Sequence, residues 1–415
     1  MSKILVLTPR FPFPTLSGDK VRIYHLSRML ARRHKLTLLS FCEKGSEPDI
    51  DPPEPVFDTI HRVPLRRWRA WMRCALSLPT STSLQLAYYR SSQFKEVLDE
   101  LLPEHDLVLA HLLRTGQYVE KANIPCVLEM TDALSMTYDR VLEQEKRRGL
   151  KEHIYSIEAN RVRRCEARMV RQFDLTTVVS SVDKAYLQRQ AGDTPSIEVY
   201  TNGVDLNAFT EVGAGKEPAA VFVGNMRTAQ NQDACRHFIK DILPRIRKTI
   251  PDFRFRIIGA SPPGVSQLFE HDYVDFIGRV ESIPEAVRGA LCGVCPMRIG
   301  AGVQNKVLEY MAMALPTVIS RVGFEGLDAE PGAELLVGDS PEALAEHIVQ
   351  LYHHESLQQA LGQRARQFVR DHHRWAKVLG PFVEAIGELI EETTDVSDHT
   401  RMKNTKESGG QDNGS

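Results

Sequence analysis

The sequence is poor in cysteine and tryptophan and has no long apolar run, and each shortage excludes a class of protein. Its 415 residues include seven cysteines and three tryptophans. An odd, scattered set of cysteines does not suit a disulfide framework, so we expect a reducing compartment. No run of about 18 apolar residues is present, which excludes a membrane-spanning helix. The first residues lack the pattern of a signal peptide, and we expect a cytoplasmic protein.

Signatures of metal and nucleic-acid binding are equally scarce. Cys292 and Cys295 form a C-x-x-C pair without the second pair or the histidines of a zinc site, so we expect buried strand cysteines and no bound metal. The net charge of -2 gives no reason to expect nucleic acid. Residues 1–200 carry 30 basic and 25 acidic side chains, which leaves 22 and 29 for the remainder. This asymmetry indicates two domains that face different partners.

Short β-branched runs alternate with amphipathic helical stretches along most of the chain. Continuous apolar runs such as ILVLT (4–8) and LVLAH (107–111) predict parallel strands covered by helices on both faces. The pattern restarts near residue 210, so we expect two doubly wound α/β domains, residues 1–205 and 206–374, that bind ligands beyond the carboxyl ends of their strands. The polar segment 393–415 predicts a disordered tail. The late-helix histidines, His373 among them, are expected at the surface.

The stretch CPMRIGAGVQNKVLEYMAMALPTVIS (295–320) is the most informative. Gly300 and Gly302 stand between a strand and a helix predicted from about Val303 to Ala314. The free N–H groups and the dipole of such a helix start attract an anion.

Three polar side chains accompany this turn. Arg298 has a forked guanidinium suited to phosphate oxygens, and Lys306 and Glu309 share one helix face. One interpretation places a diphosphate at the helix tip with its ribose hydroxyls on Glu309. The other is an ordinary glycine-bearing turn with a surface Lys–Glu pair.

The stretch 295–320 resembles the donor-binding motif of the group 1 glycosyltransferases, which are retaining sugar-nucleotide transferases of the GT-B fold. Other segments follow in the family's order: PRFPFPTLSGDKVR (9–22), NGVD (202–205), VFVGNM (221–226), RIIGASP (256–262) and VDFIGRV (274–280). The resemblance implies two Rossmann-like domains facing across a cleft. Residues 1–205 with a crossover helix at 375–392 would bind the acceptor, and residues 206–374 the donor. A finer similarity, through EMTDALSMTYDR (129–140), is to transferases of exopolysaccharide and exosortase-associated gene clusters.

The resemblance implies a nucleoside diphosphate sugar such as a UDP-sugar as donor, no cofactor, and a glycan or lipid-linked acceptor in cell-surface or exopolysaccharide synthesis. The implied catalytic residues are His111, Asp132, Arg298 and Lys306. The implied donor-binding residues are Gly18, Gly224, Asn225, Arg227, Gly259, Arg279, Gly300, Gly302, Val303 and Glu309.

The sequence departs from the family pattern at two places. The first of two glutamates eight positions apart is replaced by Ala301, and Asn225 and Asn231 stand where the family commonly has Arg and Lys. Two alternatives therefore remain open: an epimerase-like enzyme of the same fold, and an inactive partner subunit.

The segment RVPLRRWRAWMRCALSLP (62–79) has an amphipathic pattern. Apolar residues recur at helical spacing on one face and arginines on another: Trp68, Trp71, Met72 and Ala75 against Arg66, Arg69 and Arg73. Basic helices with tryptophans are typical of a membrane interface, so we expect peripheral contact with the cytoplasmic membrane face. The alternative is a helix packed on its own domain with a solvated arginine face.

Overall fold

The computed structural model describes residues 1–408 except 16, 44–51, 53, 121, 145–149 and 193–195. In its N-terminal part, seven strands of the described residues form one parallel sheet in the order β3-β2-β1-β4-β5-β6-β7. The strands are β1 (Lys3–Thr8), β2 (Lys35–Glu43), β3 (Thr59–Leu65), β4 (Leu107–His111), β5 (Cys126–Thr131), β6 (Leu175–Val178) and β7 (Ile197–Val199). The helices are α1 (Gly18–Leu30), α2 (Arg67–Ser77), α3 (Leu84–Tyr88), α4 (Ser92–Leu101), α5 (Leu113–Gly116), α6 (Leu134–Gln144), α7 (Leu150–Val170) and α8 (Ser181–Ala191).

A second parallel sheet follows, in the order β10-β9-β8-β11-β12-β13. Its strands are β8 (Glu217–Val223), β9 (Arg254–Ile258), β10 (Val274–Gly278), β11 (Ala290–Cys295), β12 (Thr317–Ser320) and β13 (Leu336–Gly338). The remaining α-helices are α9 (Ala229–His237), α10 (Leu243–Ile246), α11 (Ile283–Val287), α12 (Asn305–Ala312), α13 (Arg321–Phe324), α14 (Pro341–His353), α15 (Glu355–His372) and α16 (Trp375–Ser408). The expectation of two doubly wound, Rossmann-like α/β domains in a GT-B fold is confirmed.

The apolar strands are buried because helices cover both faces of each sheet. Every residue of β4 and of β11 is buried, including Cys292 and Cys295, as expected for strand cysteines. Strand β3 was not predicted from the sequence. It lies at the sheet edge, where Pro64 costs no ladder hydrogen bond and polar residues alternate with apolar ones.

Strand order reverses between β1 and β4 in the first sheet and between β8 and β11 in the second. Ligands of doubly wound sheets bind at such switch points, beyond the carboxyl ends of the strands. His111 is the last residue of β4, and Arg298 follows shortly after β11. The topology therefore brings predicted site residues to both switch points.

The chain passes between the domains twice, and the two passages lie side by side. Val204 pairs with Arg374, and Nδ1 of His373 lies 2.9 Å from the carbonyl oxygen of Asn202. His373 is 4% exposed, so the expectation that it lies at the surface is wrong. It instead joins the two passages.

Helix α16 returns to the N-terminal domain. Leu379, Phe382 and Ile386 are fully buried in a core cluster with residues of β1 and α1. The helix continues to Ser408, where the sequence predicted a disordered tail from residue 393, and no glycine or proline interrupts it after Gly387. Residues 409–415 lie outside the described residues. No helix in the described part of the chain is long and apolar enough to cross a membrane.

Candidate active site

The turn between β11 and α12 approaches the N-terminal domain closely. Gly302 has φ 69°, which favours glycine, and a Cβ there would lie 3.0 Å from a Val179 methyl and 3.4 Å from Cβ of Asp132. Helix α12 begins at Asn305, two residues later than predicted, and ends at Ala312. The backbone N–H groups of its first turn, which lack partners within the helix, therefore lie near the boundary between the domains.

Arg298 is engaged by a carboxylate rather than free for a ligand. Its Nε and Nη2 donate to the two carboxylate oxygens of Asp233 on α9, at 3.0 and 2.5 Å. These two bonds connect the segment after β11 to α9, and the Asp233 carboxylate offsets the charge of the guanidinium.

Lys306 has only uncharged hydrogen-bond partners. Its Nζ lies 3.2 Å from Oδ1 of Asn231 and 3.3 Å from Oε1 of Gln304, and 5.0 Å from the centre of the Phe222 ring. Among the described residues, no carboxylate oxygen lies within ion-pair distance of this ammonium group. Lys306 is thus the better placed cation for a phosphate at the start of α12.

Glu309 lies half-buried, one turn beyond Lys306. Its carboxylate has no hydrogen-bond partner among the described residues. Burial raises the pKa of Glu309 to about 7, although the nearby Lys306 opposes the shift. Such a carboxylate gains a great deal from hydroxyl donors supplied by a ligand.

The loops after β8 and β9 lie beside helix α12. Gly224 follows β8 directly. Asn225 accepts a bond from the N–H of Arg227 at 3.0 Å through Oδ1 and one from Asn231 Nδ2 at 2.9 Å through its backbone carbonyl. A Cβ on Gly259, where φ is 144°, would lie 1.9 Å from the Gly224 carbonyl oxygen. Only glycine permits this approach of the two strand ends.

The other predicted donor-side residues contribute differently. Arg227 is exposed beside the start of α9, and Arg279 is exposed after the edge strand β10, two strands away from β8. The Val303 side chain is 7% exposed and belongs to the core, so only its backbone can meet a ligand. Ala301, where the family often has a glutamate, packs against the core of the N-terminal domain.

On the N-terminal side, His111 is held by a buried carboxylate. Its Nδ1 lies 2.5 Å from Oε2 of Glu129 on β5. The side chain is 2% exposed, and its Nε2 has no hydrogen-bond partner among the described residues. The ring is therefore fixed through one nitrogen, while the other is buried and has no hydrogen-bond partner among the described residues.

Glu129 is itself paired with Arg22, and both side chains are fully buried. Nε of Arg22 donates to Oε1 of Glu129 at 2.6 Å. Burial alone would raise the pKa of Glu129, but Arg22 and His111 outweigh it and lower this pKa to about 2. Glu129 therefore stays ionised next to the imidazole.

Asp132 follows β5 and is half-buried opposite Gly302. Its carboxylate accepts no hydrogen bond from the described residues. Burial, followed by repulsion from Asp183, raises the pKa of Asp132 to about 7, although Arg114 opposes the shift. Its backbone is fixed through the next residue, because the N–H of Ala133 donates to Asp183 at 2.9 Å.

Several contacts join the two domains around these side chains. Nδ2 of Asn202 donates to Oδ1 of Asn305 at 2.8 Å, and a Cβ on Gly18 would lie 2.8 Å from Nδ2 of Asn305. Arg140 on α6 binds the Gly300 carbonyl and, at 2.6 Å, the Glu325 carboxylate. The first residues of α1 and α12 therefore meet across the cleft.

Sequence reasoning missed Glu129, Arg114 and the pairing of Arg22. A glutamate inside the apolar strand PCVLEM was the available signal, since a charge in a buried strand needs a partner. The partner is not evident from the sequence because Arg22 is 107 residues away. In the described part of the chain, no group of three or more His, Cys, Asp or Glu is arranged to hold a metal ion.

The two halves of the cleft match two families of known proteins. Residues 17–203 match the glycosyl transferase 4-like domain, and residues 217–354 match the glycosyl transferases group 1. The chain belongs to the group 1 glycosyltransferases. By its family it is thus a sugar-transferring enzyme.

Solved structures of low sequence identity show the same fold. Sucrose-phosphate synthase from Thermosynechococcus elongatus superposes with a TM-score of 0.72 at 17% identity, covering 95% of this chain and all of that one. HepE from Anabaena, solved with UDP and glucose, gives 0.67 at 13% identity over 94% of this chain and all of that one.

A curated relative is an uncharacterized 44.6 kDa protein in the cps region of Klebsiella pneumoniae, 24% identical over 167 residues. The match spans 38% of this chain and 43% of the relative.

Proposed function

We propose that this glycosyltransferase moves a sugar from a nucleoside diphosphate sugar to a glycan or lipid-linked acceptor of the cell surface, with retention of anomeric configuration. The observation that carries the proposal is the Lys306 ammonium at the start of α12 beside the Glu309 carboxylate, where the described residues supply no carboxylate to the first and no hydrogen bond to the second. The first suits a diphosphate and the second ribose hydroxyls. HepE was solved with UDP-glucose, and a UDP-sugar is the donor we propose here.

The difficult step is departure of the diphosphate, which gains negative charge as its bond to the anomeric carbon breaks. Lys306 and the N–H groups of α12 are placed to stabilise this charge, with Arg227 nearby. The acceptor hydroxyl forms the new bond on the face that the diphosphate leaves, and its proton passes to the departing phosphate oxygen. We propose that no metal ion or cofactor takes part, and addition of a chelator should leave the rate unchanged.

The N-terminal side orients the two sugars. Nε2 of His111, which has no partner among the described residues, binds a hydroxyl of the donor sugar in this proposal, and the Asp132 carboxylate binds the attacking hydroxyl. Retention is tested by the anomeric proton coupling in the product's NMR spectrum. An inverted coupling relative to the donor would contradict this part of the proposal.

Glu309→Gln is expected to weaken binding of a ribonucleoside diphosphate by about 1.5–3 kcal/mol, roughly 10- to 150-fold, because a charge-assisted hydrogen bond is lost. Titration calorimetry measures this, with exposed Glu346→Gln on α14 as the matched control. The wild type should also bind the 2′,3′-dideoxy nucleotide more weakly, whereas Glu309→Gln should bind both nucleotides alike. If the dideoxy nucleotide bound more weakly than the ribonucleotide by the same factor in both proteins, Glu309 would not contact the ribose hydroxyls.

We also propose that α2 attaches the protein to anionic membranes. The helix buries its small residues Ala70, Cys74 and Ser77, whereas its large apolar residues point outward. The exposed fractions are 58% for Trp68, 63% for Trp71, 52% for Met72 and 73% for Leu76. An ordinary surface helix buries its large apolar residues, whereas this one exposes them to solvent. Exposed arginines at 66, 67 and 69 flank the apolar face.

Replacing Arg66, Arg67 and Arg69 by glutamine should reduce binding to phosphatidylglycerol vesicles roughly 100-fold, since each cation near an anionic surface contributes about 1 kcal/mol. Arg73 is unsuitable for this test because it donates to the Tyr88 carbonyl. Co-sedimentation measures the binding, and Leu268→Ala, exposed in the donor domain, is the control. Equal binding of wild type to phosphatidylglycerol and phosphatidylcholine vesicles would contradict the proposal.

A further inference from the structure

A continuous chain of hydrogen-bonded side chains connects His111 with helix α12. From His111, the chain passes to Glu129 at 2.5 Å, to Arg22 at 2.6 Å, to Oδ1 of Asn202 at 3.1 Å and to Asn305 at 2.8 Å. These five residues are called the relay. They come from β4, β5, α1, the passage between the domains and α12.

Most of the relay is closed to solvent. Arg22 and Glu129 are fully buried, and His111 and Asn202 are 2% and 4% exposed. Arg22 is further held by the Thr201 carbonyl, which accepts a bond from Nη1 at 3.0 Å. With no solvent to substitute for a lost partner, each bond in the relay constrains the orientation of the next side chain.

One bond of the relay crosses between the domains. Arg22, Glu129 and His111 lie in the N-terminal sheet and its first helix, and Asn202 lies at its margin. Asn305 is the first residue of α12. Movement of the donor domain away from the N-terminal domain would therefore break the Asn202–Asn305 bond directly, and it would act on the other three bonds only through Asn202.

We propose that the relay makes Glu129 and Arg22 positioning residues, through which docking of α12 on Asn202 sets the orientation of the His111 ring. When Asn305 leaves, the Asn202 amide is free to turn. Nη1 of Arg22 then keeps the Thr201 carbonyl as an acceptor but loses the oriented Oδ1 of Asn202. The guanidinium then shifts against Glu129, and the imidazole follows the carboxylate that fixes its Nδ1. The donor-binding helix thus orients His111 only in the closed enzyme.

The relevance of this coupling to catalysis rests on the proposed function, but the coupling itself is measurable without substrate. The protein is labelled with ¹⁵N-histidine, and the His111 ring signals are assigned by their absence in His111→Gln. The ring nitrogen shifts report the hydrogen bonding of each nitrogen. Asn305→Ala removes the acceptor for Asn202, whereas Asn305→Asp retains an acceptor oxygen at the same place.

We expect Asn305→Ala to shift or split the His111 ring signals and Asn305→Asp to restore the wild-type positions. The control Asn123→Ala, at an exposed site outside the relay, should leave them unchanged. His111 signals in Asn305→Ala that coincide with those of the wild type would overturn the coupling. Failure of the wild type to bind any nucleotide would instead contradict the proposed function and leave the coupling in place.

Discussion

Lys306→Ala is expected to lower kcat of glycosyl transfer by about 100- to 1,000-fold, the loss typical of one donor that stabilises charge developing in a transition state. Among the described residues the ammonium group has amide oxygens and no carboxylate as hydrogen-bond partners, so its charge remains available to the leaving diphosphate. The effect on KM should be smaller, because the diphosphate gains its additional charge only as the bond breaks. Steady-state kinetics and melting temperatures of the stably folded variant provide the measurement.

Two further variants separate charge from position. Lys306→Arg should recover part of the rate, since it keeps the charge with a different geometry. Arg298→Ala should cost less than Lys306→Ala, because Asp233 already offsets the Arg298 charge. If Arg298→Ala proved the more damaging change, Arg298 would have to leave Asp233 during the reaction and act on the diphosphate as the sequence first indicated.

Arg22→Met is expected to lower the free energy of unfolding by about 3–5 kcal/mol at neutral pH, because the buried Glu129 charge loses its guanidinium partner and keeps only the His111 ring. The change should depend on pH in a defined direction. In the wild type, the Glu129 pKa is about 2 against an ordinary value of 4.5, so its contribution is present above 4.5 and lost as pH falls toward 2. In the variant, burial without Arg22 raises this pKa, and acidification from neutral pH should recover stability.

Urea denaturation at neutral pH and near pH 5 tests this expectation. Arg321→Met is the matched control, since Arg321 pairs with Asp339 while both side chains are largely exposed, and little change is expected at either pH. A loss in Arg22→Met that is small, or that grows on acidification, would show that the pair with Glu129 does not stabilise the fold as described.

The fold was largely predictable because its signals are local. Apolar runs such as LVLAH and the glycine turn at 300–302 identify strands and a helix start from neighbouring residues alone. Strand β3 was not predicted because it is an edge strand, which mixes polar with apolar residues and tolerates Pro64. For α2 the sequence left both packings open, since periodicity shows two faces of a helix without showing which of them is buried.

The site was predictable only where one segment supplies it. Lys306 and Glu309 follow the glycine turn within one helix, and the sequence places them together. Other bonds of the site join residues that are far apart in the sequence: Asp233 and Arg298 are separated by 65 positions, and Asn202 and Asn305 by 103. The first of these bonds offsets the charge of Arg298, whereas Lys306 has no carboxylate partner among the described residues.

The most direct test of the account is the binding of nucleoside diphosphates to the full chain. UDP, GDP, ADP, CDP and TDP are titrated by calorimetry into the wild type, Lys306→Ala and the exposed-surface control Arg321→Met. The account predicts that at least one of them binds the wild type with one site per chain, that Arg321→Met binds it equally well, and that Lys306→Ala binds it much more weakly. Absence of binding by all five, or equal binding to wild type and Lys306→Ala, would contradict a donor site at the start of α12.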